Sequence, residues 1–174
     1  MSSLASAPTL SRRHAVRLSS AGLAMALAAG GQRSAAAGDQ TTLEANKAIV
    51  RRVFEAVNAN TPDAVYELYA PDFVDRSAFP DQLPGPAGIE KAIADFHTLL
   101  PDVHITPEAM IAEGDLVATR EEWRGTDPAT GQEITGTTLH FWRIAQGKIV
   151  EEWSAGWEWL EQIGATQATP AAAT

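Results

Sequence analysis

Residues Thr135 to Gln162, T-G-T-T-L-H-F-W-R-I-A-Q-G-K-I-V-E-E-W-S-A-G-W-E-W-L-E-Q, set the tightest limit on what this chain can fold into. They read as two strands joined by a tight turn at Gln146-Gly147, because glycine reaches positive φ at no steric cost. Before the turn, Thr138, His140 and Trp142 share one face of a period-2 strand, while Leu139, Phe141 and Ile144 do not fall cleanly on the other. Both faces are therefore expected to be partly buried, and one of them carries a histidine. After the turn, Ile149 and Glu151 alternate with Val150 and Glu152. Phe141, Trp142, Trp153 and Trp157 crowd this hairpin, and Trp159 follows closely. So much aromatic surface needs something to pack on. A histidine among it suggests the wall of a pocket.

The ends of the chain read differently from its middle. Ser11-Arg12-Arg13 precedes an uncharged run from Leu18 to Gln32 and then Ala35-Ala36-Ala37. A basic start, a short apolar middle and an A-x-A site form a secretory signal peptide over 1–37. The run is too short and too rich in Ala, Gly and Ser for a membrane span, and the paired arginines fit a twin-arginine signal. The expected location is outside the cytoplasm, periplasmic or secreted. Cleavage after Ala37 would leave 137 of the 174 residues, enough for one domain with its own core. The lost segment holds four arginines and no acid, so the net charge would move from −9 to −13. That excludes nucleic acid, whose affinity rests on Lys and Arg at phosphates, and docking on anionic lipid. Cysteine is absent, which removes disulfides, thiolate chemistry and cysteine-ligated zinc.

Along the rest, residues 38–45 read as a linker into a helix, with Thr41-x-x-Glu44 as a capping box. Leu43, Ala48, Ile49, Val50, Val53, Phe54 and Val57 recur at helical spacing up to Asn58–Asn60. Thr61-Pro62 restarts a helix that turns Val65, Leu68 and Tyr69 inward and stops at Pro71. Phe73 to Arg76 is a short strand. Ser77 to Gly88 is a Pro- and Gly-punctuated loop, a pocket rim or a plain surface loop. A third helix spans Ile89–Leu100. Four strands follow, Val103–Glu113, Leu116–Thr126, Gln132–Ala145 and Lys148–Trp157, with turns at Gly114-Asp115, Asp127–Gly131 and Gln146-Gly147. The class is α+β, with helices packed on one face of a curved antiparallel sheet. Residues 166–174 read as a disordered tail.

Several phrases carry a family resemblance. They are Pro101-Asp102 before a strand, Ala112-Glu113-Gly114-Asp115-Leu116-Val117-Ala118, Trp123-Arg124-Gly125-Thr126, Gly147-Lys148-Ile149-Val150-Glu151-Glu152-Trp153 and Leu160-Glu161-Gln162-Ile163-Gly164. Over 46–165 the chain resembles the SnoaL-like polyketide cyclase and ester cyclase family, within the nuclear transport factor 2-like superfamily. The resemblance implies a cone-shaped sheet with three helices, no cofactor and no metal. It also implies acid/base ring closure and a homodimer through the sheet. By position it puts His140 at the pocket histidine and Thr138 at the polar residue two places earlier. The family's Asp beyond the E-x-W tryptophan has no counterpart in Ser154-Ala155-Gly156-Trp157, and Glu158 is the nearest acid. Gly125-Thr126-Asp127 replaces a G-T-H, and Arg76 stands where a histidine is usual.

His140 is the first candidate acid/base, since imidazole titrates near neutrality; a packed core histidine is the alternative. Glu122, Asp75 and Arg120 form a second group if Ala118, Arg120 and Glu122 point inward; outward, they are surface pairs. Tyr66 and Tyr69 are candidate oxyanion donors or core residues. Trp142, Trp153, Trp157 and Trp159 would stack a flat ligand or simply fill the core. His97, His104 and His140 lack zinc spacing, and no nucleotide-binding glycine motif occurs. Three readings stay open. One is a cofactor-free cyclase, isomerase or dehydratase acting on a small carbonyl compound. The second is a protein that binds a small apolar or aromatic molecule without chemistry. The third is a dimer whose cavity is vestigial.

Overall fold

Helix α1 covers Ala21–Asn58 in the computed structural model, which describes the backbone of residues 21–164 and the side chains of residues 39–164. The signal peptide expected over 1–37 and the tail expected over 166–174 lie outside the described residues, apart from the helical backbone from Ala21. The chain divides into two units, Met1–Gly38 and Asp39–Thr174. The stretch read as a linker over 38–45 belongs to α1. Gln40, Leu43, Glu44 and Ala45 are good helix formers, and nothing there stops the backbone. Val50, Val53, Phe54 and Val57 are buried, while Arg51, Arg52 and Glu55 face water, as their spacing demands.

A 3₁₀ turn, Pro62–Ala64, runs into the single-turn helix α2, Val65–Leu68. Tyr69 already belongs to strand β1, Tyr69–Asp75, which begins earlier than expected. Pro71 is tolerated inside it because β1 is an edge strand. Helix α3, Pro86–Leu99, opens with its proline at the first position, where no N–H is needed. Its His97 reaches the Val57 carbonyl at 2.7 Å and ties α3 to α1.

Strands β2 (His104–Glu113), β3 (Leu116–Thr126), β4 (Glu133–Ala145) and β5 (Lys148–Ala155) form the expected meander. The sheet order is β1-β5-β4-β3-β2, antiparallel except for the parallel pairing of β1 with β5 at one edge. Gln146 and Gly147 both have positive φ, as a type I′ hairpin turn requires. The last strand ends at Ala155, two residues before the expected Trp157. The chain reverses at Gly156 (φ 93°) into a 3₁₀ segment, Trp157–Ile163. That reversal lays Trp157, Trp159 and Leu160 back on the sheet. Core residues of α1 and α3 meet Val117, Trp123, Ile134, Trp142 and Ile144 on one face of the sheet. The opposite face leaves Ile111, Leu139 and Phe141 exposed. Burial of both faces, expected from the β4 pattern, is therefore corrected: Ile144 lies on the same face as Trp142, in plain alternation.

Candidate functional site

Directly paired residues in a sheet point to the same side. Thr119 pairs with His140, and Glu121 with Thr138, so all four side chains enter the core together. On β5 the alternation breaks. Arg143 pairs with Glu151 but the next residue, Ile144, pairs with Ile149, leaving Val150 as an extra residue. This β-bulge shifts the inward face from the Ile149 parity to Glu152. A second acid thereby joins the histidine.

His140 is buried between two carboxyl groups. Its Nδ1 lies 3.0 Å from Glu121 Oε2, and its Nε2 lies 3.5 Å from Glu152 Oε1. Thr138 donates to the same Glu121 oxygen at 2.8 Å and accepts from Trp123 Nε1 at 2.7 Å. Trp142 donates its Nε1 to Thr119 at 2.8 Å and stacks on the imidazole at 5.0 Å. Tyr69 directs its hydroxyl at Glu152 Oε2 over a long 3.4 Å. Asp75, at the end of β1, accepts from the Ser77 amide at 2.8 Å and from Gln82 Nε2 at 2.9 Å.

These contacts divide the charge. Burial alone would lower the imidazole's proton affinity, but the Glu121 hydrogen bond and charge, with Glu152 and Asp75, raise it above the ordinary value. Burial would likewise raise Glu121, yet His140 and the hydroxyls of Thr119 and Thr138 hold it below the usual carboxylate range. Glu152 goes the other way. Burial, with the nearby Asp75 and Glu121 charges, outweighs the attraction of His140 and pushes it up to about 8. Burial and the Glu152 and Asp75 charges push the Tyr69 hydroxyl far up as well. At neutral pH the arrangement is a Glu121 carboxylate bound to the His140 imidazole, whose charged form it favours, beside a neutral Glu152 acid and a neutral Tyr69 hydroxyl.

Asp75, His140, Glu152 and Tyr69 line one cavity with Ser77, Gln82 and Ser154. Its remaining wall is apolar and aromatic: Phe54 and Val57 from α1, Phe96 from α3, then Phe79, Trp123, Trp142 and Trp157. Trp157 packs edge-on to Phe79 at 5.3 Å and stacks on Phe96 at 5.6 Å. The cavity holds about 70 Å³, less than the ~150 Å³ that admits benzene.

Of the residues singled out in the sequence, His140, Asp75, Tyr69, Trp142 and Trp157 line this cavity, and Thr138 lies just behind it. Four others belong elsewhere. Arg120 points outward to an ion pair with Glu108, and Glu122 points outward to Arg124. Their parity is opposite to that of Thr119 and Glu121. Tyr66 is half-exposed and donates to Glu90 at 2.6 Å. Trp153 sits under the Arg143 guanidinium rather than in the cavity. Glu121 and Glu152 went unseen. Glu121 was within reach, because Val117, Thr119, Glu121 and Trp123 form a period-2 row ending on a large aromatic. No such signal marks the bulge. No group of three or more His, Asp or Glu side chains among the described residues is placed to hold a metal ion.

The SnoaL-like domain model matches residues 50–152, which span β1 to β5 and every polar residue of the site except Ser154. No curated protein matches the chain. Among solved structures, IdmH of Streptomyces antibioticus, a candidate polyketide cyclase, is 29% identical over 68% of this chain and 98% of its own, with a TM-score of 0.60. A candidate polyketide cyclase of Bacillus cereus is 21% identical over 67% of this chain and 78% of its own, with a TM-score of 0.62. TsrD of Streptomyces laurentii is 20% identical over 70% of this chain and 96% of its own, also with a TM-score of 0.62. The last two establish likeness of fold alone. With a family model covering more than half the chain and a five-stranded α+β architecture to match, this protein belongs to the SnoaL-like domain family.

Proposed function

We propose that this protein is a cofactor-free acid/base enzyme that enolises a small, neutral carbonyl compound, as a cyclase or isomerase of the SnoaL-like type would. The observation that carries the proposal is the convergence of a neutral acid, Glu152, and a carboxylate, Asp75, on one aromatic cavity. Asp75 is the base that takes the proton α to the carbonyl. Glu152 and Tyr69 donate to the oxygen on which charge develops, a role that requires an acid still protonated at neutral pH. His140, held as an imidazolium by Glu121, adds positive potential beside that oxygen. The role first considered for His140, the proton-transferring base, passes to Asp75, because the imidazole is bound at Nδ1 by Glu121 and its Nε2 faces the Glu152 carboxyl. No lysine or arginine lines the cavity, and His140 is already paired with Glu121, so an anionic substrate has no free counter-charge there.

The small volume, and the lack of an Asp after Trp153, favour a second reading in which the cavity binds an apolar molecule without converting it. A ligand screen by thermal shift, with mass spectrometry of each incubated compound, separates the two. Conversion by the wild type, with binding but no conversion by Asp75→Asn, supports the enzyme. Return of every bound compound unchanged supports the carrier. Action outside the cytoplasm rests on the Arg12-Arg13 pair and the Ala35-Ala36-Ala37 site. It is tested by N-terminal sequencing of periplasmic protein, which should begin at Gly38.

A further inference from the structure

At about 70 Å³ the cavity is smaller than the ~150 Å³ that admits benzene, so an aromatic ligand enters more easily if one of its walls moves. Two walls are helices and one is the sheet, each held by a continuous core. The fourth is the loop between β1 and α3, and few bonds hold it. Ser77 is fixed at its base, where its Oγ accepts from the Ser154 amide at 3.0 Å. Beyond it, one side chain does most of the fastening. Gln82 donates its amide to Asp75 Oδ2 at 2.9 Å and accepts from the Phe79 amide at 3.0 Å. Its own backbone N–H donates to the Phe79 carbonyl at 3.1 Å. Phe79, so held, covers Trp157 and Phe96. Asp81 beside it has φ 63°, sparsely populated for a residue other than glycine, and Leu83 stands half-exposed.

We infer that Gln82 is a latch, a positioning residue whose hydrogen bond to Asp75 keeps the 77–85 loop shut and occupies the base until a ligand enters. Shut, Asp75 has both oxygens engaged, by Ser77 and by Gln82. Opening withdraws Phe79 from the aromatic wall and frees Asp75 Oδ2 in one motion, so entry and exposure of the base are coupled. An empty site thus keeps its carboxylate satisfied, and a substrate's C–H takes the place that the Gln82 amide leaves. The inference rests on the proposed role of Asp75 only for this last step. The latch itself stands on the contacts of Gln82.

The test is amide hydrogen exchange of the whole protein read by mass spectrometry, which needs no substrate. Gln82→Ala should speed exchange across 77–85 by about tenfold or more, the effect of losing one hydrogen bond to a charged acceptor, while β4 keeps its wild-type rate. Asp75→Ala should open the same segment, and the double variant should open it no further than the larger single effect. Unchanged exchange in 77–85, additive effects, or faster exchange throughout the domain would overturn the latch. Phe79→Ala, which enlarges the cavity without touching the Asp75 bond, checks the size argument. It should raise affinity for the neutral probe 1-indanone at least severalfold, and unaltered affinity would contradict entry past Phe79. A loop that opens as described in protein that does not speed α-proton exchange of 1-indanone counts against the proposed chemistry and not against the latch.

Discussion

The Glu152 carboxyl lies 3.5 Å from the His140 imidazole, and each of the two holds its proton more tightly than it would in free solution. Glu152 is pushed up to about 8 by burial and by the Asp75 and Glu121 charges, whereas the imidazole is raised, against its burial, because Glu121 binds its other nitrogen.

This order makes stability depend on pH. Between the ordinary Glu value of 4.5 and about 8, the folded state holds a proton on Glu152 that the unfolded chain has released. Stability therefore falls as pH rises through that window. His140, also raised, adds to the fall above 6.5. Glu121 acts oppositely, and its contribution is lost as pH drops below 4.5 toward its lowered folded value. Urea unfolding should show a maximum near pH 5 and a decline on the order of 3 kcal/mol by pH 9. Glu152→Gln should flatten the decline and be the more stable protein at pH 9. A wild-type profile that rises between pH 5 and 9 would contradict this assignment.

Gly136 should be irreplaceable for a steric reason. A Cβ there would overlap the Trp159 ring, which is buried. Gly136→Ala should cost about 1–3 kcal/mol by overpacking and alter the near-ultraviolet circular dichroism as Trp159 is displaced. A melting temperature equal to wild type would show that the ring yields freely.

The outer face of the sheet carries a row, Ile111, Ala118, Phe141 and Trp153, paired strand to strand. Ile111 is 71% and Phe141 52% exposed, unusual for residues of this kind. A second copy of the chain is the expected cover. Charged groups of both signs, Glu108, Arg120, Arg143 and Glu151, flank the row, as a self-complementary rim needs. Sedimentation should find a dimer, and Phe141→Glu should weaken it on the order of 100-fold. A monomer at high micromolar concentration would refute this.

Much of this molecule was legible in its sequence, and the parts that were not share physical causes. Local rules act within one element, and they located the α1 stripe, the tight turn at Gln146-Gly147 and the shared face of Thr138, His140 and Trp142. Facing stayed open where pairing decides. Arg120 and Glu122 could point inward or outward because the hydrophobic contrast across β3 is weak, and they point outward. Register with His140 and Thr138 settles the matter for Glu121. Glu152 was hidden by a single extra residue, Val150, which no composition signal announces. The Asp expected beyond Trp153 is absent, and the buried acid nearest the histidine on that strand is Glu152, one residue before Trp153.

The central claim, that Asp75 and Glu152 enolise a neutral ketone in this cavity, is tested most directly by proton exchange. The α-protons of 1-indanone would be followed by NMR in D₂O at neutral pH, with wild type, Asp75→Asn and Glu152→Gln. The expected result is exchange accelerated by the wild type and reduced by a factor on the order of 100 or more in each variant, the usual size of a lost general base or oxyanion donor. Wild-type exchange no faster than in buffer, or equal in all three proteins, would contradict the claim.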